Sequence, residues 1–210
     1  MIKTLSPLIA IGLLAGPLSA QAAPVLTGPV YNSTTGHYYY LLDQSNWTDA
    51  EATAISLGGH LATINDAAED AWIYRTFSLF NNVNRHLWIG LYDTDQAVNS
   101  PDQATRRTEF AWTSGETPTY RNWAFYEPNS PFSGETSVPP TWEFFVHIWD
   151  PTDGFAPQWN NYVDSSSLFG HPLNGVVEVN QLAQVPEPGT FALLGLGLAA
   201  LAASRRPIGK

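Results

Sequence analysis

Helical periodicity is confined to the first half of the central region, and this asymmetry restricts the architecture more than any other feature. After Asn46, the residues Trp47, Ala50, Ala54 and Leu57 recur at helical spacing, and Gly58-Gly59 ends the run. A second helix is predicted from Ala67 to about Phe80, with Asn65-Asp66 as its cap. The remaining apolar runs are short and extended: Gly36–Leu42, His60–Ile64, His86–Leu91, Phe110–Thr113, Phe144–Trp149 and Gly175–Val179. Asp93–Thr108 and Asp150–Gln158 read as polar loops. Ala124–Thr141 is rich in Pro, Gly and Ser without any period, and a loop of that length is usually functional or disordered. Helices first and strands later point to an α+β fold in one domain.

Both ends look unlike the centre. Lys3, an apolar run from Leu5 to Leu18 and Ala20-Gln21-Ala22 have the layout of a secretory signal peptide over residues 1–22. At the other end, Val185-Pro186-Glu187-Pro188-Gly189 leads into an apolar stretch, Phe191 to Ala203, and then Ser204-Arg205-Arg206. That stretch is shorter than the ~20 residues that span a bilayer comfortably. In this order the three parts resemble the PEP-CTERM sorting signal, here over residues 185–210. The resemblance implies export from a Gram-negative bacterium with transient anchoring in the inner membrane. It also implies recognition of Pro186-Glu187-Pro188 by a sorting protease, an exosortase, and release toward the cell surface or extracellular matrix.

Between the ends, residues 24–184 carry five basic side chains, all arginine, against eighteen acidic ones, a net charge of −13. Such a surface repels nucleic acid and anionic membranes and suits cations or neutral ligands. The chain has no cysteine, so packing or a metal must do what disulfides do in many exported domains. His37, His60, His86, His147 and His171 are scattered without metal-ligand spacing, and no activated serine or cysteine arrangement is evident, so the chain is expected not to be an enzyme.

The most informative pair of motifs is Glu127-Pro128-Asn129 and Trp159-Asn160-Asn161, which place carboxylate and amide oxygens at two separated loop positions. Calcium takes roughly 6–8 such oxygens. With Trp47-Thr-Asp-Ala-Glu, Leu57-Gly-Gly-His-Leu-Ala-Thr-Ile64, Leu87-Trp-Ile-Gly-Leu91, Phe110-Ala-Trp-Thr113 and Tyr120-Arg-Asn-Trp123, in that order, the domain resembles a C-type lectin-like domain over nearly its whole length. The resemblance implies two helices, small antiparallel sheets and a long ligand-binding loop. It makes Trp47, Leu57, Leu61, Ile64, Trp88, Ile89 and Leu91 packing residues and sets Trp123 at the base of the loop. It implies a Ca²⁺ site formed by Glu127, Asn129, Asn160, Asn161 and one further acid, either Glu143 or Glu135, with Pro128 in cis. Glu127, Asn129, Glu143 and Asn160 would also contact a glycan or exopolysaccharide, and Glu-Pro-Asn implies mannose-type hydroxyls.

Two departures from the family pattern stand out. Asn161 replaces an expected Asp, which removes a charge, and calcium affinity depends on ligand charge. The disulfide positions fall approximately on Ala54 with Val177 and on Phe145 with Asp164. A calcium-independent domain that binds protein or builds matrix is the alternative function.

Overall fold

The computed structural model describes residues 23–94, 102–129 and 143–182. The expected signal segment, the sorting tail, Glu135 and most of the long loop lie outside them. The elements run β1 (Val25–Asn32), β2 (His37–Gln44), α1 (Trp47–Ser56), β3 (His60–Leu61), α2 (Ala67–Phe77), β4 (His86–Asp93), α3 (Gln103–Arg106), β5 (Phe110–Trp112), β6 (Phe145–Ile148), β7 (Trp159–Tyr162), β8 (Ser167–Leu168) and β9 (His171–Val179). The α+β class stands.

Four details differ from the sequence expectations. Strand β1 pairs with β2 although its apolar pattern is broken at Gly28-Pro29. The polar run before Thr108 contains α3, capped by Asp102, whose carboxylate accepts from the Thr105 N–H. Trp159-Asn160-Asn161 is not loop but strand, paired with β6 in the register His147 opposite Asn160 and Val146 opposite Asn161. The pairings are not all antiparallel, because β4 and β9 run parallel at the centre of the order β1-β2-β9-β4-β6-β7.

The helices begin where short polar side chains satisfy their free N–H groups. Asn46 accepts from the Asp49 N–H, and Asp66 accepts from those of Ala68 and Glu69. Gly58, at φ 88, turns the chain out of α1. Strand β4 is buried on both faces because it divides two cores. Leu87, Ile89 and Leu91 pack with Ile73 and Phe77 of α2, whereas Trp88 packs with Trp47, Ala50 and Ala54 of α1. The alternation is the two-residue period of a strand. Gly90 is required in this strand, since a Cβ there would lie 2.3 Å from the Leu61 carbonyl oxygen.

Packing occupies the positions where the family resemblance implies disulfides. Ala54 and Val177 are buried in one apolar cluster. Phe145 and Asp164 both converge on Trp47. Phe145 stacks on its ring with centroids 4.5 Å apart, while the Asp164 carboxylate accepts from the backbone N–H groups of Trp47 (2.8 Å) and Thr48 (3.1 Å).

Candidate functional site

The loop carrying Glu127 starts from a rigid base. Trp123 and Trp159 are bridged through their backbones and pack ring to edge. Beneath them Asp70 of α2 accepts three hydrogen bonds, from Tyr120 Oη (2.9 Å), Asn122 Nδ2 (2.7 Å) and Trp159 Nε1 (3.2 Å). Burial raises the Asp70 pKa, and these donors oppose the rise. One carboxylate thereby joins a helix, the loop's entry and β7.

The loop is also held from its far side. Gln103 Nε2 donates to the carbonyls of Phe125 (3.3 Å) and Glu127 (3.2 Å). Arg106 Nε donates to the Pro128 carbonyl and Arg107 Nε to that of Glu127, each at 3.0 Å. These positioning residues were missed in the sequence because four helical residues are too short for periodicity. The Asp102 cap was the available signal. The Glu127-Pro128 bond is cis, as the resemblance implied.

Glu127, Asn129, Asn161 and the Glu143 backbone form one hydrogen-bonded group. Asn129 Nδ2 donates to Glu127 Oε1 (3.0 Å), Asn161 Oδ1 accepts from the Asn129 N–H (3.1 Å), and Asn161 Nδ2 donates to the Glu143 carbonyl (2.8 Å). The Asn129 amide nitrogen therefore faces the buried carboxylate instead of pointing outward. The structure separates Asn160 from this group. Neighbouring residues of a strand face opposite sides, and Asn160 Nδ2 donates to His147 Nε2 at 3.0 Å. His147 is held neutral, its pKa pushed down to about 3 chiefly by burial.

Glu127 is the unusual member. It is 8 % exposed, and its Oε2 is buried without a hydrogen-bond partner. Burial pushes its pKa up to about 7, opposed by its hydrogen bonding to Asn129 and by the Arg106 charge. Beside it Phe125 and Tyr126 are 73 % and 69 % exposed, with ring centroids 4.7 Å apart.

A family model described as the Lectin C-type domain matches residues 43–144, and the PEP-CTERM protein-sorting motif matches residues 184–206. The chain carries a C-type lectin domain and a PEP-CTERM sorting motif. A C-type lectin of Cerberus rynchops is 26 % identical over 121 residues, covering 57 % of this chain and 64 % of that protein, which is less than two thirds of its length. A C-type lectin mannose-binding isoform of Notechis scutatus scutatus is 28 % identical over 126 residues, 59 % of this chain and 67 % of that one. Among solved structures, the carbohydrate-recognition domain of human scavenger receptor C-type lectin aligns with a TM-score of 0.52 at 23 % identity, covering 74 % of this chain and 99 % of that chain. The structural likeness establishes the fold. The sorting motif implies export and exosortase processing. No helix among the described residues is long and apolar enough to cross a membrane.

Three of the scattered histidines meet in space. His86, His147 and His171 gather near Asp150, whose Oδ2 lies 3.2 Å from His86 Nε2 and 3.1 Å from His171 Nδ1. His86 Nδ1 accepts from the Asp150 N–H (3.1 Å), so the neutral ring carries its proton on Nε2, the nitrogen facing the carboxylate and the Leu168 carbonyl. The cluster is thus a brace between the ends of β4, β6 and β9. Its members are far apart in the sequence, which hid it.

Proposed function

We propose that the lectin domain binds carbohydrate through one Ca²⁺ at the Glu127–Asn129 loop and prefers mannose-type hydroxyls. The observation that carries this is the Glu127 carboxylate. A buried acid with a raised pKa and an unpartnered oxygen is matched to a cation. Asn129 spends its amide nitrogen on Glu127, which leaves its amide oxygen for a hard ion, and Asn161 Oδ1, which accepts from the Asn129 N–H, has a second lone pair to offer. The proposed ligands are Glu127, Asn129, Asn161 and a loop acid, Glu143 or Glu135. Asn160, on the other face of β7, is not among them.

Bound calcium would supply coordination sites for two neighbouring sugar hydroxyls, with the carboxylates accepting their protons' hydrogen bonds. Phe125 and Tyr126 offer ring faces beside that position. The mannose-binding relative supports the sugar class. With two acids the affinity is expected to be low.

A calcium-independent domain is favoured by one observation: Arg106 is itself buried and its charge already acts on Glu127. Calorimetry with Ca²⁺, followed by mannose and galactose, separates the two. Calcium uptake, a melting temperature that drops in EDTA and preference for mannose are expected. Absence of both calcium uptake and any EDTA effect would refute the calcium site. The exchange Glu127→Gln with Asn129→Asp should shift preference toward galactose.

A further inference from the structure

A cavity of about 450 Å³ has Arg107, Trp112, Glu116, Thr117, Thr119 and Arg121 on its wall. Its charge is anomalous. The domain holds only five basic residues among eighteen acids, yet two of the five line this one cavity and Glu116 is the single acid beside them.

Arg121 is the more informative of the pair. Among the described residues its guanidinium donates only to backbone carbonyls, from Nη1 to Pro118 (2.9 Å) and Tyr120 (2.8 Å) and weakly from Nη2 to Phe110 (3.5 Å). Its charged carbon stands 5.4 Å from the Trp112 ring centroid. Among the described residues it makes no ion pair with any carboxylate. Burial lowers its pKa, and no neighbouring acid counteracts the effect. A half-buried cation is costly unless an anion or a full set of acceptors compensates it; here the carbonyls leave Nε without an acceptor, and Glu116, though on the same wall, makes no ion pair with Arg121 among the described residues. Arginine is also the side chain best shaped to take a carboxylate with two parallel hydrogen bonds.

We propose that this cavity is a subsite for a carboxylate-bearing saccharide, a uronate unit, with Arg121 and Arg107 as its cationic wall and Thr117 and Thr119 as hydroxyl contacts. The proposal rests on the carbohydrate-binding function but not on calcium. Arg107 connects the two places, because its Nε holds the Glu127 carbonyl while its side chain borders the cavity. One glycan chain carrying both neutral and acidic sugars would then engage the loop and the cavity together.

The test is a titration of the purified protein in EDTA with a galacturonate trisaccharide and, separately, with mannotriose. The uronate should bind with an affinity that falls as salt rises, and mannotriose should not bind in EDTA. Thr117→Glu adds a negative charge at an exposed wall position, and Arg121→Gln removes the positive one. Each should weaken uronate binding by about 10-fold to 100-fold, the range for a lost hydrogen bond to a charged group. Neither should alter calcium-dependent mannose binding. Absence of uronate binding, or wild-type uronate affinity in both variants, overturns the subsite. Calcium-dependent mannose binding that persists without uronate binding overturns the subsite alone. Salt-sensitive uronate binding without any calcium response overturns the calcium site alone.

Discussion

Replacing Glu127 with Gln separates the effect of its charge from the effect of its shape. Glutamine keeps the oxygen that accepts from Asn129 Nδ2 and removes the ionisation. The ordinary carboxyl value is 4.5 and burial raises it to about 7 in the folded protein. The folded state therefore holds this proton more tightly than the unfolded state does. Protonation favours folding between those two values, so Glu127 lowers stability as pH rises through that window and the full penalty is present above about pH 7. At about 1.4 kcal/mol per pH unit, the gap caps the penalty at about 3 kcal/mol. Glu127→Gln should recover part of it at pH 8 and almost none at pH 4.5. For a domain of this size 1 kcal/mol shifts the melting temperature by roughly 2–4 °C, so a gain of several degrees at pH 8 is expected. Calcium should stabilise the wild type at pH 8, lose about tenfold in affinity for each pH unit below 7, and leave the variant unmoved. Thermal unfolding at pH 4.5 and pH 8, with calcium and with EDTA, measures every term. A variant less stable than the wild type at pH 8, or one with an unchanged pH profile, would refute the assignment of a strained buried charge at Glu127.

Other substitutions probe the frame around the loop. Asp70→Ala strands three donors, two of them from the loop base and one from Trp159, and should cost about 3–5 kcal/mol in chemical denaturation. Asp164→Ala removes the acceptor at the start of α1 and should cost about 1–2 kcal/mol, read as a lowered melting temperature. Gly90→Ala drives a methyl group into the Leu61 carbonyl and should cost at least 1–3 kcal/mol, seen as reduced denaturant midpoint or loss of soluble protein.

The packing frame was readable because it depends on local patterns. Trp88 and Leu87 fall on opposite faces of one strand by simple alternation, and each reaches the core that its neighbours in sequence predict. The caps at Asn46 and Asp66 declare themselves by residue type. Strand β1 was not legible, since its Gly28-Pro29 interruption hides the alternation and only pairing with β2 keeps it extended. Helix α3 was too short to show a period, so the clamp of Gln103, Arg106 and Arg107 on the loop carbonyls did not appear either.

The candidate site divides along the same line. Residue types alone placed oxygens suited to a hard cation at Glu127, Asn129, Asn160 and Asn161, and the family resemblance added one further acid, Glu143 or Glu135. Only the tertiary structure turned Asn160 toward His147 and Asn161 toward Asn129, because a strand assigns adjacent side chains to opposite faces once its partner fixes the register. Only burial raised the Glu127 pKa, and only the fold brought Arg107 and Arg121 to one cavity across thirteen intervening positions. Charge and hydrogen-bonding capacity are properties of the residue. Desolvation and orientation come from what the rest of the chain packs around it.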